Sequence, residues 1–435
     1  MRALASLLLL CLAAAAYSQE EQPTPILSGY VTRAASASDF DVDGVRILCN
    51  TDTRTELPSG DSWRPGCPDD PYTGQALDIY GHEKKKLNAI AASRIDLKSH
   101  HLGEISGVAV IDAVSGAAAP GTLQFRADGY TILIDAKTAI GFNPPIASLA
   151  DVMTNVWVNY EAKRRPDGVF VAQSVKFSQN VITDREDAMR EKTNYDPSAI
   201  SPTAKQNPVA IAVGASPNPR KIPPWPNKAL QDRLTAIGKK LIPSWQQRLA
   251  PSDPSRIDFR FQLTDGKHWP AILTLPSGIV LVPHQVVERM QNDSQLAAVL
   301  ADAIACVLEK QTYRMRIANT AIATGNVISW GQFLPVVGGP AVLVGIGAGT
   351  SQLIAVRKEE HQSARVSLTL LHDAGYDIDQ APIAWWLLAS RKPKPVIKID
   401  MPDRTSYLYR TLGEVWHNPA SQPEPTPVAQ SSTSP

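Results

Sequence analysis

An excess of charge of either sign is what this chain lacks: its 435 residues carry 43 Lys and Arg against 42 Asp and Glu, a formal net charge of +1. A protein that holds a nucleic-acid backbone needs a positive surplus, so no nucleic-acid partner is expected. A Gly-rich phosphate loop, a nucleophile elbow and a Cys/His dyad of defined spacing are also missing. The histidines form no set. His100-His101 has no partner carboxylate at helical spacing, His284 follows a strand hairpin alone, and His82 sits in a charged turn. Cysteine is scarce, with Cys11 in a leader-like segment and Cys49, Cys67 and Cys306 in the remainder.

What is present is 43% hydrophobic residues, enough to bury several cores, and a length that suggests two to four domains. Residues 1–18, MRALASLLLLCLAAAAYS, read as a secretory signal peptide: one arginine, the apolar run Leu7–Ala16, and Ala16-Tyr17-Ser18 as a small-x-small cleavage site. Cys11 follows Leu10, where a lipoprotein signal needs a small residue. Export to a periplasmic or extracellular compartment is therefore expected. In an oxidising compartment Cys49 and Cys67 can close a disulfide, worth about 3 kcal/mol by loop-closure entropy; two reduced thiols are the other reading.

From Pro25 to about Ser178 short alternating runs and Gly/Asp turns predict strands, and a repeat runs through them. Asp43-Gly44-Val45-Arg46-Ile47-Leu48-Cys49-Asn50 with Thr53 matches Asp128-Gly129-Tyr130-Thr131-Ile132-Leu133-Ile134-Asp135 with Thr138. Tyr80 precedes Ala92, Ile95 and Leu97 as Tyr160 precedes Ala172, Val175 and Phe177. Each unit, 26–98 and 103–178, has the length of a small all-β barrel of the OB kind. The first carries a longer insert, Glu56–Asp70, that holds Cys67. Trp63, Tyr72, Tyr130 and Trp157 could stack on bases, but without a basic groove they are expected to fill barrel interiors or cap their ends. Lys84-Lys85-Lys86 reads as a solvated turn.

Residues 179–226 shift to Pro, Asn, Ser and Ala and read as a Pro-rich linker. An α+β, mainly helical domain is expected over 227–416. Leu230, Leu234, Ile237 and Leu241 recur at helical spacing, Ile257 to Leu263 alternate as a strand, and 291–315 has the strongest helical periodicity. Residues 417–435 are a Pro/Ser/Thr/Gln tail with no means of forming a core.

Asn292–Lys310, NDSQLAAVLADAIACVLEK, resembles the active-site helix of the CAAX prenyl endopeptidases and their soluble bacterial relatives, a gluzincin family in which that helix typically reads NEDELAAVLAHEIAHVL. Ala271–Val282 resembles the family's edge hairpin, with Pro270 where an asparagine usually opens it. Arg357–Asp377, RKEEHQSARVSLTLLHDAGYD, resembles the segment bearing the third zinc ligand, with Ala374-Gly375-Tyr376-Asp377 fixing the register. The two barrel units likewise resemble a loosely patterned exported bacterial domain. In the peptidase family both HExxH histidines bind zinc and the glutamate activates water. Those three positions fall here on Asp302, Ala303 and Cys306. Glu360 retains the third-ligand position, while Ala364 replaces the aspartate of ExxxD and Ser367 its glycine.

The resemblance thus implies the fold without its chemistry. One reading is an exported, non-catalytic metallopeptidase-like protein, without a cofactor, that binds an envelope polypeptide at the edge hairpin 271–282 or acts as a scaffold. The other is a zinc metalloendopeptidase with an altered site built from Asp302, Cys306 and Glu360. The uncharged stretch Ala318–Val356 is long enough to cross a bilayer. Because Gly and Pro cluster between Pro335 and Pro340, the reading adopted is buried or membrane-peripheral helices, with membrane contact through 325–348.

Overall fold

The computed structural model describes residues 24–58, 62–98, 103–115, 121–165, 168–201, 203, 205–207, 217–268, 270–314, 349–389 and 402–417, with backbone alone over 349–359. Residues 1–18, expected as a signal peptide, the segment 325–348 and the tail from 418 onward lie outside the described residues. The chain divides into two compact units, one holding the first barrel and the other the second barrel with everything after it.

In the first unit, β1 (Leu27–Ser36), β2 (Asp39–Val42) and β3 (Val45–Leu48) form a meander, and β6 (Ala76–Lys84) and β7 (Ala89–Leu97) a hairpin. β1 pairs with β6, and β3 lies parallel to β7, so β1-β2-β3-β7-β6 is a closed five-stranded ring. Further along β7, the same edge takes β4 (Arg54–Glu56), with β5 (Trp63–Pro65) outside it. Alternation along these strands sends Val31, Phe40, Val42, Ile47, Ile79 and Ile95 inward to full burial. Each such side chain contributes roughly 1.5–3 kcal/mol. The Cys49–Cys67 disulfide forms, with Cα atoms 5.6 Å apart, and ties the insert to the end of β3.

The second barrel repeats the same ring. β8 (Glu104–Ser115), β9 (Leu123–Ala127) and β10 (Tyr130–Ile134) form the meander, β12 (Val156–Arg164) and β13 (Phe170–Gln179) the hairpin, and a parallel β10–β13 pair closes it. β11 (Ala139–Phe142) sits on β13 as β4 sits on β7. The matched turns share their geometry: Asp43 and Gly44, like Asp128 and Gly129, all have positive φ, as a two-residue hairpin of the primed type requires. Thr53 and Thr138 donate to the carbonyls of Ala92 and Ala172 at 3.0 and 2.8 Å.

The pairing registers correct one correspondence. Tyr80 pairs with Arg94 and Ile79 with Ile95, whereas Tyr160 pairs with Val175, so Tyr160 is equivalent to the buried Ile79 and not to Tyr80. Both copies carry the same bulge, at Ser93 in β7 and at Gln173 in β13, so the one-position offset comes from the β6–β7 turn, which is one residue longer than the β12–β13 turn.

The segment expected as a linker carries structure of its own. α1 (Asp184–Lys192) is capped by Thr183, whose hydroxyl accepts from Glu186 N–H at 3.2 Å, and the buried Glu186 pairs with Arg190 and Lys310. Tyr195 is buried and donates to the Ile222 carbonyl at 2.8 Å. Its ring joins Ile222, Leu273, Leu275, Ile279 and Leu281 in one cluster. Prolines remove backbone donors but leave these side chains free to pack.

That cluster covers one face of a three-stranded sheet of order β14 (Arg260–Thr264), β16 (Ile279–Pro283), β15 (Leu273–Thr274). α2 (Lys228–Leu241) is capped by Asn227 and packs on β14 so closely that a methyl on Gly238 would meet the Phe261 ring. Two short helices, α3 (Ser244–Arg248) and α4 (His284–Arg289), flank the sheet in sequence. The central helix, α5 (Asp293–Leu308), contacts α2, β15, β16, α6 (Gly349–Asp373) and α7 (Gln380–Ala389); α8 (Asp403–Thr411) follows and contacts α6 and α7.

Candidate functional site

α5 starts where Asn292 accepts from Gln295 N–H at 2.9 Å and runs without a break. It is apolar on nearly all sides, and Leu296, Ala297, Ala298, Leu300, Ala301 and Ile304 are fully enclosed. Such a helix belongs in the middle of a core, and its alanines let neighbouring backbones approach. Asp302 is the single charge enclosed in that run. A buried carboxylate needs a cation or several donors.

Arg404 supplies the cation. Its Nη2 pairs with Asp302 Oδ1 and lies 3.2 Å from Ser363 Oγ on α6, while the guanidinium stacks 4.0 Å from the centroid of the Trp385 ring on α7. One side chain from α8 thereby ties three helices together. Beside Asp302, Ala303 is buried and offers only a methyl group. Cys306 is half-buried and takes no part in a disulfide. On α6, Glu360 is half-buried and its carbonyl accepts from Ser363 Oγ at 3.1 Å; Ala364 is enclosed, and Ser367 Oγ donates to the Ala364 carbonyl.

The donor set at the positions that the peptidase resemblance implies does not fit zinc. The Asp302 carboxylate is committed to a guanidinium, Ala303 offers a methyl, and neither Asp302 nor Cys306 is an imidazole. Among the described residues, no three His, Cys, Asp or Glu side chains come close enough to hold a metal ion together. Asp302, Cys306 and Glu360 are therefore not assembled as a ligand set. Of the lone histidines, His284 stacks on Trp225 at 4.0 Å and bonds to Glu288, and His82 is exposed.

The expected edge hairpin is present. β15 and β16 pair antiparallel around a turn at Gly278, which has φ +88°, and β15 is the terminal strand with no partner on its outer edge among the described residues. A cavity of about 290 Å³ opens beside its start, lined by Pro270, Gln285, Val286, Glu288, Arg289 and Leu388.

A second buried charge cluster joins α6 to the second barrel. Arg365, one residue past Ala364, forms a two-pronged bond to Asp128 at 2.6 and 2.7 Å and donates to the Tyr407 hydroxyl at 2.5 Å. Tyr160 donates to the same Asp128 at 2.8 Å, and the Arg365 guanidinium lies 5.0 Å from the Tyr130 ring centroid. Burial works to lower the Arg365 pKa, but Asp128 and the surrounding tyrosines hold it well above its ordinary value.

Along β8, pairing to β9 begins only at Ile111, and the exposed backbone before it is completed by side chains. Val110 N–H donates to the Glu309 carboxylate at 3.2 and 3.4 Å, and the Val108 carbonyl accepts from Gln362 at 3.0 Å. Glu309 is fully enclosed, and burial, reinforced by Asp128, pushes its pKa well above the ordinary value against the pull of Arg314 and Val110 N–H. Asp112 is pushed up to about 6 by burial, opposed by Arg126, which also pairs with Asp373 at the end of α6.

Of the aromatics weighed as stacking platforms, Tyr130 belongs to the second barrel's core and packs on Phe170. Trp157 is half-buried and donates to Asn180 at 2.9 Å; Trp63 is exposed, with Arg54 over its ring. The Lys84–Lys86 turn is exposed.

Arg404 and Arg365 escape a reading of the sequence. A lone Asp inside an apolar helix signals that some cation must reach it, but the pairs are 102 and 237 residues apart and nothing local names the partner.

The model of a domain of unknown function, DUF5666, matches residues 109–176. The match spans the second barrel from β8 to β13 and agrees with a pair of OB-like repeats. No curated protein matches the chain.

Proposed function

We propose that this chain is a non-catalytic, metallopeptidase-like protein of the cell envelope that binds an extended polypeptide. The observation that carries this reading is at Asp302-Ala303. The carboxylate in the first ligand position is bonded to Arg404, and the neighbouring side chain cannot take a proton from water. Without a general base, hydrolysis would lose about 10²- to 10⁴-fold in rate even if a metal were held. The disulfide and the signal-like leader support an oxidising compartment. Among the described residues no helix is long and apolar enough to cross a membrane.

Polypeptide binding is assigned to β15. A terminal strand with an open outer edge accepts a chain by backbone hydrogen bonds, and the cavity beside Pro270 can take a side chain of that added strand. The test is fluorescence anisotropy with a labelled, reduced and carboxymethylated polypeptide, followed by electrophoresis of the same sample. Saturable binding without cleavage is expected, weakened at least tenfold by Thr274→Pro, which removes a backbone donor from the edge strand. Cleavage that stops on chelation would overturn the reading.

A further inference from the structure

The resemblance places a metal ion at the junction of α5 and α6, held from one helix by the positions of Asp302 and Cys306 and from the other by Glu360. In this chain an arginine comes to that junction. Arg404 reaches Asp302 on α5 and, at 3.2 Å, Ser363 on α6, which lies between Glu360 and Ala364. The Asp302 side chain is 9% exposed and that of Arg404 14% exposed, so both charges are largely withdrawn from water.

We infer that the Arg404 guanidinium is a resident cation that performs the bridging task of a metal ion between α5 and α6, closing the helical region without a metal and excluding one from the junction. The inference rests on the metallopeptidase-like reading of these two helices.

Three observations carry it. The pair is electrically balanced, one carboxylate against one guanidinium, so an arriving divalent cation would meet a positive charge at short range. A further donor, Arg404 Nε, is enclosed without a hydrogen-bond partner, so this part of the junction presents an N–H where a metal needs a lone pair. Trp385 holds the guanidinium plane from α7, which fixes its position independently of Asp302. Arginine suits the task because its charge is permanent and its planar fork reaches a carboxylate and a hydroxyl together.

The experiment uses the full chain in two variants. The first carries Asp302→His, Ala303→Glu, Cys306→His and Ala364→Asp; the second adds Arg404→Ala. Bound zinc is measured by elemental analysis after gel filtration, and folding by thermal melting. The expected result is substoichiometric zinc in the first variant and one zinc per chain, with a raised melting temperature, in the second. Stoichiometric zinc in the first variant, with Arg404 in place, would overturn the inference and leave the fold reading standing. Absence of zinc from both, with cooperative melting, would remove the metallopeptidase-like reading and the inference with it.

Because the four-residue change leaves Arg404 without its carboxylate, a second measurement stands apart from metal uptake. Arg404→Met and Asp302→Asn are each expected to lower the melting temperature by roughly 5–10 °C, and the double variant to recover more than half of the summed loss. Additive losses would overturn the bridging role.

Discussion

In the first barrel the Asp43 carboxylate turns back on its own fold and accepts from Tyr30 N–H at 2.9 Å. In the second, the equivalent carboxylate, Asp128, turns outward to Arg365 on α6, and the backbone position equivalent to Tyr30 is served from elsewhere: Val110 N–H donates to Glu309, at the end of α5. The registers Tyr30↔Ala76 and Val110↔Trp157, with Val31↔Val42 and Ile111↔Ala127, establish the equivalence from both sides of the strand. A repeat that satisfies itself in one copy has therefore been opened in the other, and helical side chains complete it. The first barrel meets this backbone donor from within its own fold. The second shares its buried charges with the helical region, and the division of the chain into two units follows that line.

Breaking the clasp should give the largest effect. Arg365→Met leaves Asp128 enclosed and unpaired, a loss of about 3–5 kcal/mol to the second unit, and Asp128→Asn in the same chain should return much of it. Urea unfolding followed by hydrogen exchange should place the loss in β8–β13 and the helices while β1–β7 keep their protection. Equal loss in both barrels would contradict the separation.

The disulfide breaks the comparison from the other side. Cys49→Ser with Cys67→Ser should lower the stability of the first barrel by about 3 kcal/mol, because its loop closure is lost, and leave the second unit unchanged. Proteolysis at the insert 56–70 would report it. Susceptibility appearing in the second unit instead would show that the two barrels lean on one another.

The smallest effect is in pH. Glu309 and Asp112 have folded pKa values above their ordinary ones, so between those limits the folded state binds more protons than the unfolded state. Their contribution is complete below the ordinary carboxylate range and is lost as pH rises, for Asp112 between 3.8 and about 6 and for Glu309 as pH climbs above its ordinary value. The second unit should therefore be more stable at mildly acidic than at mildly alkaline pH. Glu309→Gln should flatten that slope by an amount on the order of 1 kcal/mol. Asp43 is also raised by burial, so the first barrel should lean the same way with one such group. Urea midpoints measured across the range, with a slope in the second unit no larger than in the first, would contradict the assignment.

Much of this architecture is legible before any coordinates, and for local reasons. The Asp-Gly turns and Thr53 and Thr138 carry their geometry in a few adjacent residues, so the barrels and their repeat can be read from spacing. The α5 helix is equally plain, since Asn292 and an unbroken apolar run define it. The Tyr80 and Tyr160 correspondence fails because the β6–β7 turn is one residue longer than the β12–β13 turn, and spacing alone does not show on which side of the strand pair the extra residue falls. The stretch 179–226 looks like a spacer because its prolines dominate the composition, while the residues that anchor it, Tyr195 and Ile222, are few. Arg365 and Arg404 are illegible because their meaning lies wholly in what they meet across the fold. Of the candidate site, the lone Asp302 inside an apolar helix shows in the sequence, and the cation that answers it does not.

The most direct test of the central claim, that a guanidinium and not a metal closes the junction of α5 and α6, is the zinc content of the purified native chain, measured by elemental analysis after dialysis without chelator. Less than stoichiometric zinc, unchanged by Arg404→Met or Asp302→Ala, is the result this account predicts. One zinc per chain, lost on Asp302→Ala or Cys306→Ala together with cleavage of an unfolded polypeptide, would contradict it.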